Sequence, residues 1–331
     1  MRLLTRSDFD GLVCAVLLKE VGLIDEYRFV HPKDVQDGKV EVGPNDVLAN
    51  VPFAPGCGLW FDHHSSEQTR SSHAGGYNGC FRQAPSCARV IWDYYGGHAR
   101  FNPQFDFMMA SVDKADSANL NADDIENPQD WILLSYVMDP RTGLGRYRDY
   151  RISNYKLMEE LVEYCRTHAI DEILALPDVQ ERLKRYYEQT GLFREMVRQN
   201  AAQHGDVVVL DLREQEEIFA GNRFVIYPMF PTANISIQVM WGLQKQNIVM
   251  TCGHSITNRT SRCNVGELML EFRGGGHRSV GTCQVPTAEA ERVLGELVSR
   301  INALGYPDYC PDRSTPPSAS RRSDDRRALA A

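Results

Sequence analysis

Short apolar runs alternate with apolar-periodic segments through the first third of the chain. "RLLT" (2–5) reads as a strand, "RSDFDG" as a polar turn and "LVCAVLLKEVG" as a helix. A strand, a tight acidic turn and a helix make the first half of a βαβ unit. "YRFV" (27–30), "VLANV" (47–51) and "LWF" (59–61) are further short apolar runs bounded by Gly, Pro, Asn or Asp. After Pro85, "SCARVIWDYYGG" predicts a helix that Ser86 caps and the glycine pair ends. "FDFMMASVDKAD" (105–116) predicts a second helix, finishing in acids.

From roughly 150 to 200 the pattern turns long, charged and helical, as in a bridge between two lobes. Strand-like runs resume with "DVVVLDL", "RFVIY", "NISIQVMW" and "QNIVMTCGHSI". A helical "NVGELMLEF", the run "GGGHRSVGTCQV" and a last helix near 287–303 complete a second α/β unit. The tail is rich in Pro, Ser, Arg and Asp, a composition that predicts disorder. The expected organisation is α/β throughout. A catalytic domain with a Rossmann-like parallel sheet spans 1–150 and a helical linker 151–204. A smaller α/β domain follows over 205–305, then a disordered tail over 306–331, with the site in the cleft between the domains.

The length of 331 residues exceeds what one hydrophobic core usually covers, which agrees with two domains. No apolar run approaches the ~20 residues of a spanning helix, and "MRLLTRSDFDG" has no apolar signal core. A cytoplasmic protein is expected, with no membrane partner. The formal net charge of -8 argues against a broad nucleic-acid surface, yet leaves room for a local basic cleft that holds a small anion. The nine cysteines are odd in number and form no C-x-x-C pair, so reduced buried thiols are expected rather than a disulfide framework.

Chemistry concentrates after the strands. Asp8 and Asp10 follow the first, Asn50 follows "VLA", and Asp62, His63 and His64 follow "LWF". Loops at the C-terminal ends of parallel strands converge on one crevice, so these groups would meet. Asp113 and Asp116, at the end of the "SVDKAD" helix, could add one more acid. Each group also has an ordinary reading: Asp8 and Asp10 as turn or N-cap residues, Asp113 and Asp116 as surface charges. Their ordered occurrence favours a shared site. Mixed carboxylates and imidazoles suit a divalent ion such as manganese (Mn2+), with magnesium, iron or zinc as alternatives. Two such ions ~3.5–4 Å apart can activate water and clamp a phosphoryl group.

"TRSDFDGLVCA", "ANVP", "FDHH" and "SVDKAD", in this order, resemble the four motifs of the DHH phosphoesterase superfamily. "GGGHRSVGTCQV" resembles the glycine-rich motif of that family's associated C-terminal domain, and the resemblance covers nearly all of 1–305. It implies Asp8 on a first metal and Asp10 on a second. His63 would join Asp10, together with an acid for which Asp113 is favoured over Asp116. His64 would face the substrate, and Asp62 would accept a histidine N–H and fix its tautomer. Two positions depart from the family pattern. Arg6 and Leu4 stand where a histidine is usual, and Asn50 stands where an aspartate bridges both metals. Both losses fall on the first metal, so one firm ion and one weak or absent ion are expected. Arg6 then either binds a substrate phosphate or pairs with Asp8 or another nearby acid.

In "RGGGHRSVG" (273–281), Gly274, Gly275 and Gly276 let backbone N–H groups approach an anion, and His277 adds a donor. A plain glycine hinge is the alternative. "SITNRTSR" (255–262) resembles the family's substrate-contacting strand, which makes Arg259 and Ser261 candidates and Arg262 a weaker one. The arginine-rich "DPRTGLGRYRDYR" (139–151) suits either phosphate or a solvated linker. The glycine-containing "SSHAGGYNGC" (71–80) reads as a mobile loop beside the cleft, with His73 uninvolved.

The leading expectation is a manganese-dependent phosphoesterase cleaving P–O bonds in a small phosphorylated substrate. Exopolyphosphatase-like action is one candidate, and short oligonucleotides or nucleoside phosphates are its rivals. An aromatic platform in the cleft would favour a base, and Tyr147, Tyr150, Tyr227 and Trp241 are available. The alternative is a catalytically weakened regulatory protein that binds a phosphorylated ligand. A processive single-strand exonuclease fits the acidic chain poorly, and a homodimer is plausible.

Overall fold

The computed structural model describes residues 1–64, 67 and 76–304. The tail over 306–331 and the loop around His73 lie outside the described residues. The first sheet has the order β2-β1-β3-β4-β5, and every pairing in it is parallel. Its strands are β1 (Arg2–Arg6), β2 (Glu26–Val30), β3 (Asp46–Ala49), β4 (Leu59–Asp62) and β5 (Gly79–Phe81).

Alternation along these strands supplies both faces. Leu3, Val47, Ala49 and Phe61 join a large core, while Leu4, Leu48 and Trp60 join a smaller one on the other side. A parallel sheet covered on both faces follows from strands this apolar. Helix α1 (Phe9–Glu20) covers the large-core side, and α2 (Pro32–Gln36) contributes Val35 to the small one.

Helices α3 (Cys87–Tyr94), α4 (Asp106–Asp116), α5 (Ala122–Glu126) and α6 (Asp130–Met138) extend the first core. Ser86 accepts the N–H of Arg89, as the capping pattern predicts. Strand β5 was expected to be loop. Its Gly79 sits at φ +117, and a Cβ there would lie 2.1 Å from the Trp60 carbonyl oxygen, so glycine is what lets β5 pair with β4.

The bridge comprises α7 (Asn154–Thr167), α8 (Ile170–Leu174) and α9 (Pro177–Asn200). It is shorter than expected, because residues 201–204 form β6 (Ala201–His204), which pairs antiparallel with β7 (Val207–Asp211). The second sheet has the order β10-β11-β9-β8-β7-β6, with β8 (Ile235–Trp241), β9 (Ile248–His254), β10 (Gly275–His277) and β11 (Val280–Val285). Helix α10 (Ile226–Met229) precedes β8, whereas α11 (Val265–Glu271) and α12 (Ala290–Leu304) pack on the sheet.

"RFVIY" forms a 3-10 turn (Arg223–Val225) that runs into α10, not the expected strand. Asn222 accepts the N–H of Phe224, and this capping outweighs the β-branched composition. In β7, Val207 and Val209 face the second core, while Val208 and Leu210 enter the first. The two sheets are thus joined through shared packing, with a cleft between them. All eight described cysteines are free. Among the described residues, no helix is long and apolar enough to cross a membrane.

Candidate active site

The turn between β1 and α1 is held by close packing. A Cβ on Gly11 would lie 1.9 Å from the Arg6 carbonyl oxygen, so only glycine lets the helix begin this close to the strand. Asp8 caps α1 and accepts the N–H of Gly11 at 3.0 Å, the ordinary role that its position allowed. Asp10, in the first turn of α1, is 1% exposed and accepts the N–H groups of Cys87 (2.9 Å) and Ala88 (2.8 Å) at the start of α3. Two helix N-termini therefore converge on the two aspartates and supply N–H donors and partial positive charge.

Asn50 follows β3 in the left-handed region at φ 56. Its Nδ2 donates to Asp8 Oδ1 at 2.9 Å, and Arg6 Nε stands 2.9 Å from Asp8 Oδ2. Both oxygens of Asp8 thus face donors or a positive charge. Of the two expectations for Arg6, the pairing with Asp8 is the one present.

The end of β4 sorts its three polar residues by what each one touches. Asp62, 1% exposed, accepts the backbone N–H of His63 at 2.8 Å, and its Oδ1 lies 2.7 Å from His64 Nδ1. A carboxylate at that distance places the proton on Nδ1 of His64 and leaves Nε2 as the free nitrogen. His63 Nδ1 lies 3.0 Å from the Ala84 carbonyl, which can only accept. In the neutral ring, Nε2 is then the lone-pair nitrogen of His63; it is buried and has no hydrogen-bond partner among the described residues. It stands 3.2 Å from Asp116 Oδ2 and 3.7 Å from Asp10 Oδ2.

Asp116 is therefore the helix acid at this point, and the preference for Asp113 is reversed. Asp113, one turn earlier on α4, accepts from Ser86 Oγ (2.7 Å) and from Arg89 Nε and Nη2 (2.8 and 2.6 Å). Its charge is spent tying α4 to α3.

The electrostatics are those of a site short of positive charge. Burial, and then the Asp8 carboxylate, raise Asp10 above the usual carboxylate range, and His63 with two backbone N–H groups offset only part of this. Desolvation at the cleft floor, with the Asp10 and Asp8 charges next, raises Asp116 well above that range, although 27% of its side chain stays exposed. Burial alone would lower His64, but the bond and charge of Asp62 outweigh it and the net direction is up. One ligand atom each from Asp10, His63 and Asp116 lies within 4.8 Å of the others. Two uneasy carboxylates around an unpartnered imidazole nitrogen fit a divalent cation.

A cleft of about 830 Å³ opens from Asp116 towards the second sheet. Arg141 and Arg223 line it close to the acidic group, and Tyr227, Gln238, Phe219 and Met240 line it as well. Arg259 lines it from the second domain, and its Nη2 donates across to the Ala118 carbonyl at 2.8 Å. Ser261 accepts the N–H of Cys263 at 3.3 Å and is not among the lining residues. Gly274 to His277 are also absent from the lining. A Cβ on Gly274 would lie 2.2 Å from the Thr282 oxygen, and one on Gly276 2.2 Å from the Val280 oxygen, so these glycines serve a tight β10–β11 hairpin. Gly275 has open space around it, and His277 is exposed.

Tyr227 is the one aromatic candidate found in the cleft. Tyr147 and Tyr150 stack under Arg185 and Arg182, and Trp241 donates to the Arg213 carbonyl. Asp139 and Arg223 also meet beside this cleft, the Arg223 Nη1 donating to Asp139 Oδ2 at 2.7 Å. Arg223 lay inside a segment that reads as a strand, and no local motif marks it.

No protein-family model matches the chain, and no curated protein matches it. Among solved structures it is similar to a pGpG-specific phosphodiesterase, PggH from Vibrio cholerae. The two share 50% identity over 92% of this chain and 99% of that one, with a TM-score of 0.81. A DHH domain described as belonging to a family of ribosomal proteins matches at TM-score 0.54 and 11% identity, covering 92% of this chain and 87% of that chain. RecJ from Thermus thermophilus, solved with Mn2+, matches at TM-score 0.51 and 12% identity, covering 91% of this chain and 51% of its own. The last two share the fold alone. With half its residues identical to a phosphodiesterase along nearly the whole of both chains, and a fold shared with DHH domains, this chain belongs to the DHH family of phosphoesterases.

Proposed function

We propose that the protein is a divalent-cation-dependent phosphodiesterase acting on short oligonucleotides, with a 5′-phosphorylated dinucleotide such as pGpG as the preferred substrate. The observation that carries this is the two-ended cleft. The end with Arg141 and Arg223 adjoins Asp10, His63 and Asp116, and the rest of its wall mixes aromatic, aliphatic and amide side chains with Arg146, His254 and Arg259. A polyphosphate chain would leave the apolar part of that wall unused, whereas a nucleobase would pack on it. The 50% identical relative is named for pGpG, which supports the same reading.

Asp10, His63 and Asp116 would hold the cation, with manganese favoured and magnesium an alternative. When bound, such an ion makes water a usable nucleophile at neutral pH and offsets charge on phosphoryl oxygens. One ion per chain is expected to bind firmly, because Asp8 already faces Arg6 and Asn50. The Arg6 guanidinium supplies permanent positive charge where a second cation would otherwise act. His64, fixed by Asp62 and 35% exposed, would donate from its other ring nitrogen to a phosphoryl oxygen when protonated, the form that Asp62 favours. Arg259 reaches the same space from the second domain. The eight free cysteines among the described residues suit a reducing compartment such as the cytoplasm.

The test is hydrolysis of pGpG, longer oligonucleotides and polyphosphate by wild type and His63→Ala, each with manganese, magnesium or chelator. Cation-dependent cleavage of pGpG that His63→Ala loses is the expected result. Cleavage of polyphosphate with pGpG left intact would overturn the reading.

A further inference from the structure

Asp139 and Arg141 belong to the 3-10 turn that follows α6, and Arg223 to the turn that precedes α10. The cluster therefore joins the first domain to a segment returning from the second sheet, and the Gly221 N–H donates to the Thr142 carbonyl beside it at 2.9 Å. Arg223 Nη1 donates to Asp139 Oδ2 at 2.7 Å, and Arg141 Nε donates to both Asp139 oxygens at 2.8 and 3.1 Å. One carboxylate thus serves two guanidiniums, which leaves one positive charge in excess.

Each guanidinium has five N–H donors, and these contacts occupy one nitrogen on each. Among the described residues, neither side chain makes another hydrogen bond. Arg223 is stacked on the Phe224 ring at 4.1 Å, which holds its plane. Desolvation in the cleft, and then the neighbouring Arg141 charge, push Arg223 below the usual arginine range, although 36% of its side chain stays exposed. A bound anion would relieve both. The two arginines also stand where cavities meet. Both line the large cleft, and both line a smaller one that reaches Asp8, Asp10 and Asp116.

We propose that Arg141 and Arg223, spaced by Asp139, form an anion seat that grips a substrate phosphate beside Asp116. Asp139 is a positioning residue: it holds the two planes apart and turns their free N–H groups to the cleft. Planar forks of this kind match phosphate oxygens in pairs. The nature of the ligand rests on the phosphodiesterase reading above, but the seat itself can be judged without it.

The experiment is calorimetric titration of the full chain, in chelator, with two probes: pGpG and inorganic pyrophosphate. The proteins are wild type, Arg141→Ala, Arg223→Ala, Arg223→Lys and, as a charge control on an exposed helix face, Lys184→Ala. Loss of charge-assisted hydrogen bonds should weaken both probes by about tenfold to hundredfold in the two alanine variants. Lys184→Ala should bind as wild type. Arg223→Lys should recover most of the thermal stability but little of the affinity, since an ammonium is not a fork. A merely structural bridge would show the reverse, with lower melting temperatures and unchanged affinity, and that result would overturn the seat. If the alanine variants do not fold, Arg223→Lys carries the test alone. Pyrophosphate binding that depends on the arginines, together with no cleavage of pGpG, would keep the seat and remove the dinucleotide reading. Cleavage of pGpG with affinities indifferent to both arginines would do the opposite. A wild type that binds neither probe would also sink the seat, leaving the hydrolysis assay to judge the substrate.

Discussion

Asn50 donates its side-chain N–H to Asp8 across 2.9 Å, from a backbone held in the left-handed region at φ 56. Asparagine and aspartate both tolerate that conformation, so Asn50→Asp changes the charge and little else. In chelator it would set two carboxylates against each other and lower stability by about 1–3 kcal/mol. Added manganese should restore the loss, because a cation between the two acids replaces the missing donor. Thermal melts of both proteins, with and without the ion, check this. Equal melts in chelator would show that the Asn50–Asp8 bond contributes nothing.

The two acids of α4 should separate cleanly. Asp116→Asn removes an acid beside His63 Nε2, so metal bound per chain and pGpG cleavage should both fall, the latter by at least about a hundredfold if the ion carries the chemistry. Asp113→Asn leaves that group intact and breaks the contact with Arg89. It should keep its metal and lose about 1–3 kcal/mol of stability. Metal analysis by mass spectrometry, with denaturant unfolding, distinguishes the pair.

Asp139 gives the protein an acid-sensitive joint. Burial would raise its carboxyl, but Arg141 and Arg223 outweigh this and bring it down from 3.8 to about 2. A depressed folded-state value stabilises the fold above the unfolded value, and that stability drains away as pH falls from about 4 towards 2. At ~1.4 kcal/mol per unit the contribution is about 2 kcal/mol. Urea unfolding at pH 5 and at pH 3 should show a steeper loss in wild type than in Asp139→Asn. Parallel pH profiles would exclude the joint.

Gly11→Ala tests how tightly the aspartate turn is built. Its Cβ would meet the Arg6 carbonyl oxygen at 1.9 Å, with Thr5 Oγ1 2.9 Å away. Strand and helix must part, at about 1–3 kcal/mol as for other overpacked sites. Asp8 and Asp10 move with the helix, so metal affinity should weaken along with stability. An unchanged melting temperature would mean that the turn yields more easily than its geometry implies.

Much of this was legible in the chain. Strands β1 to β4 are short apolar runs with polar ends, so their existence and parallel order follow from local pattern and from the connections between them. Strand β5 was not legible, because three residues led by a left-handed glycine look like loop until Trp60 is beside them. "RFVIY" misled in the other direction, since its composition favours a strand and only the cap from Asn222 turns it into helix.

The site divides in the same way. Residue types and their order along the chain determined that acids and histidines would gather at the ends of parallel strands, because that topology sends those loops to one crevice. What each side chain does there is set by distances between segments far apart in sequence. Asp113 and Asp116 are three residues apart on one helix, and the facing Arg89 and Ser86 take the first and leave the second to His63. Arg223 is invisible as a site residue until the chain returns from the second sheet and lays it against Asp139, 84 positions earlier. Local pattern encodes which groups are present. Packing between distant segments decides which charges are spent on one another and which are left for a ligand.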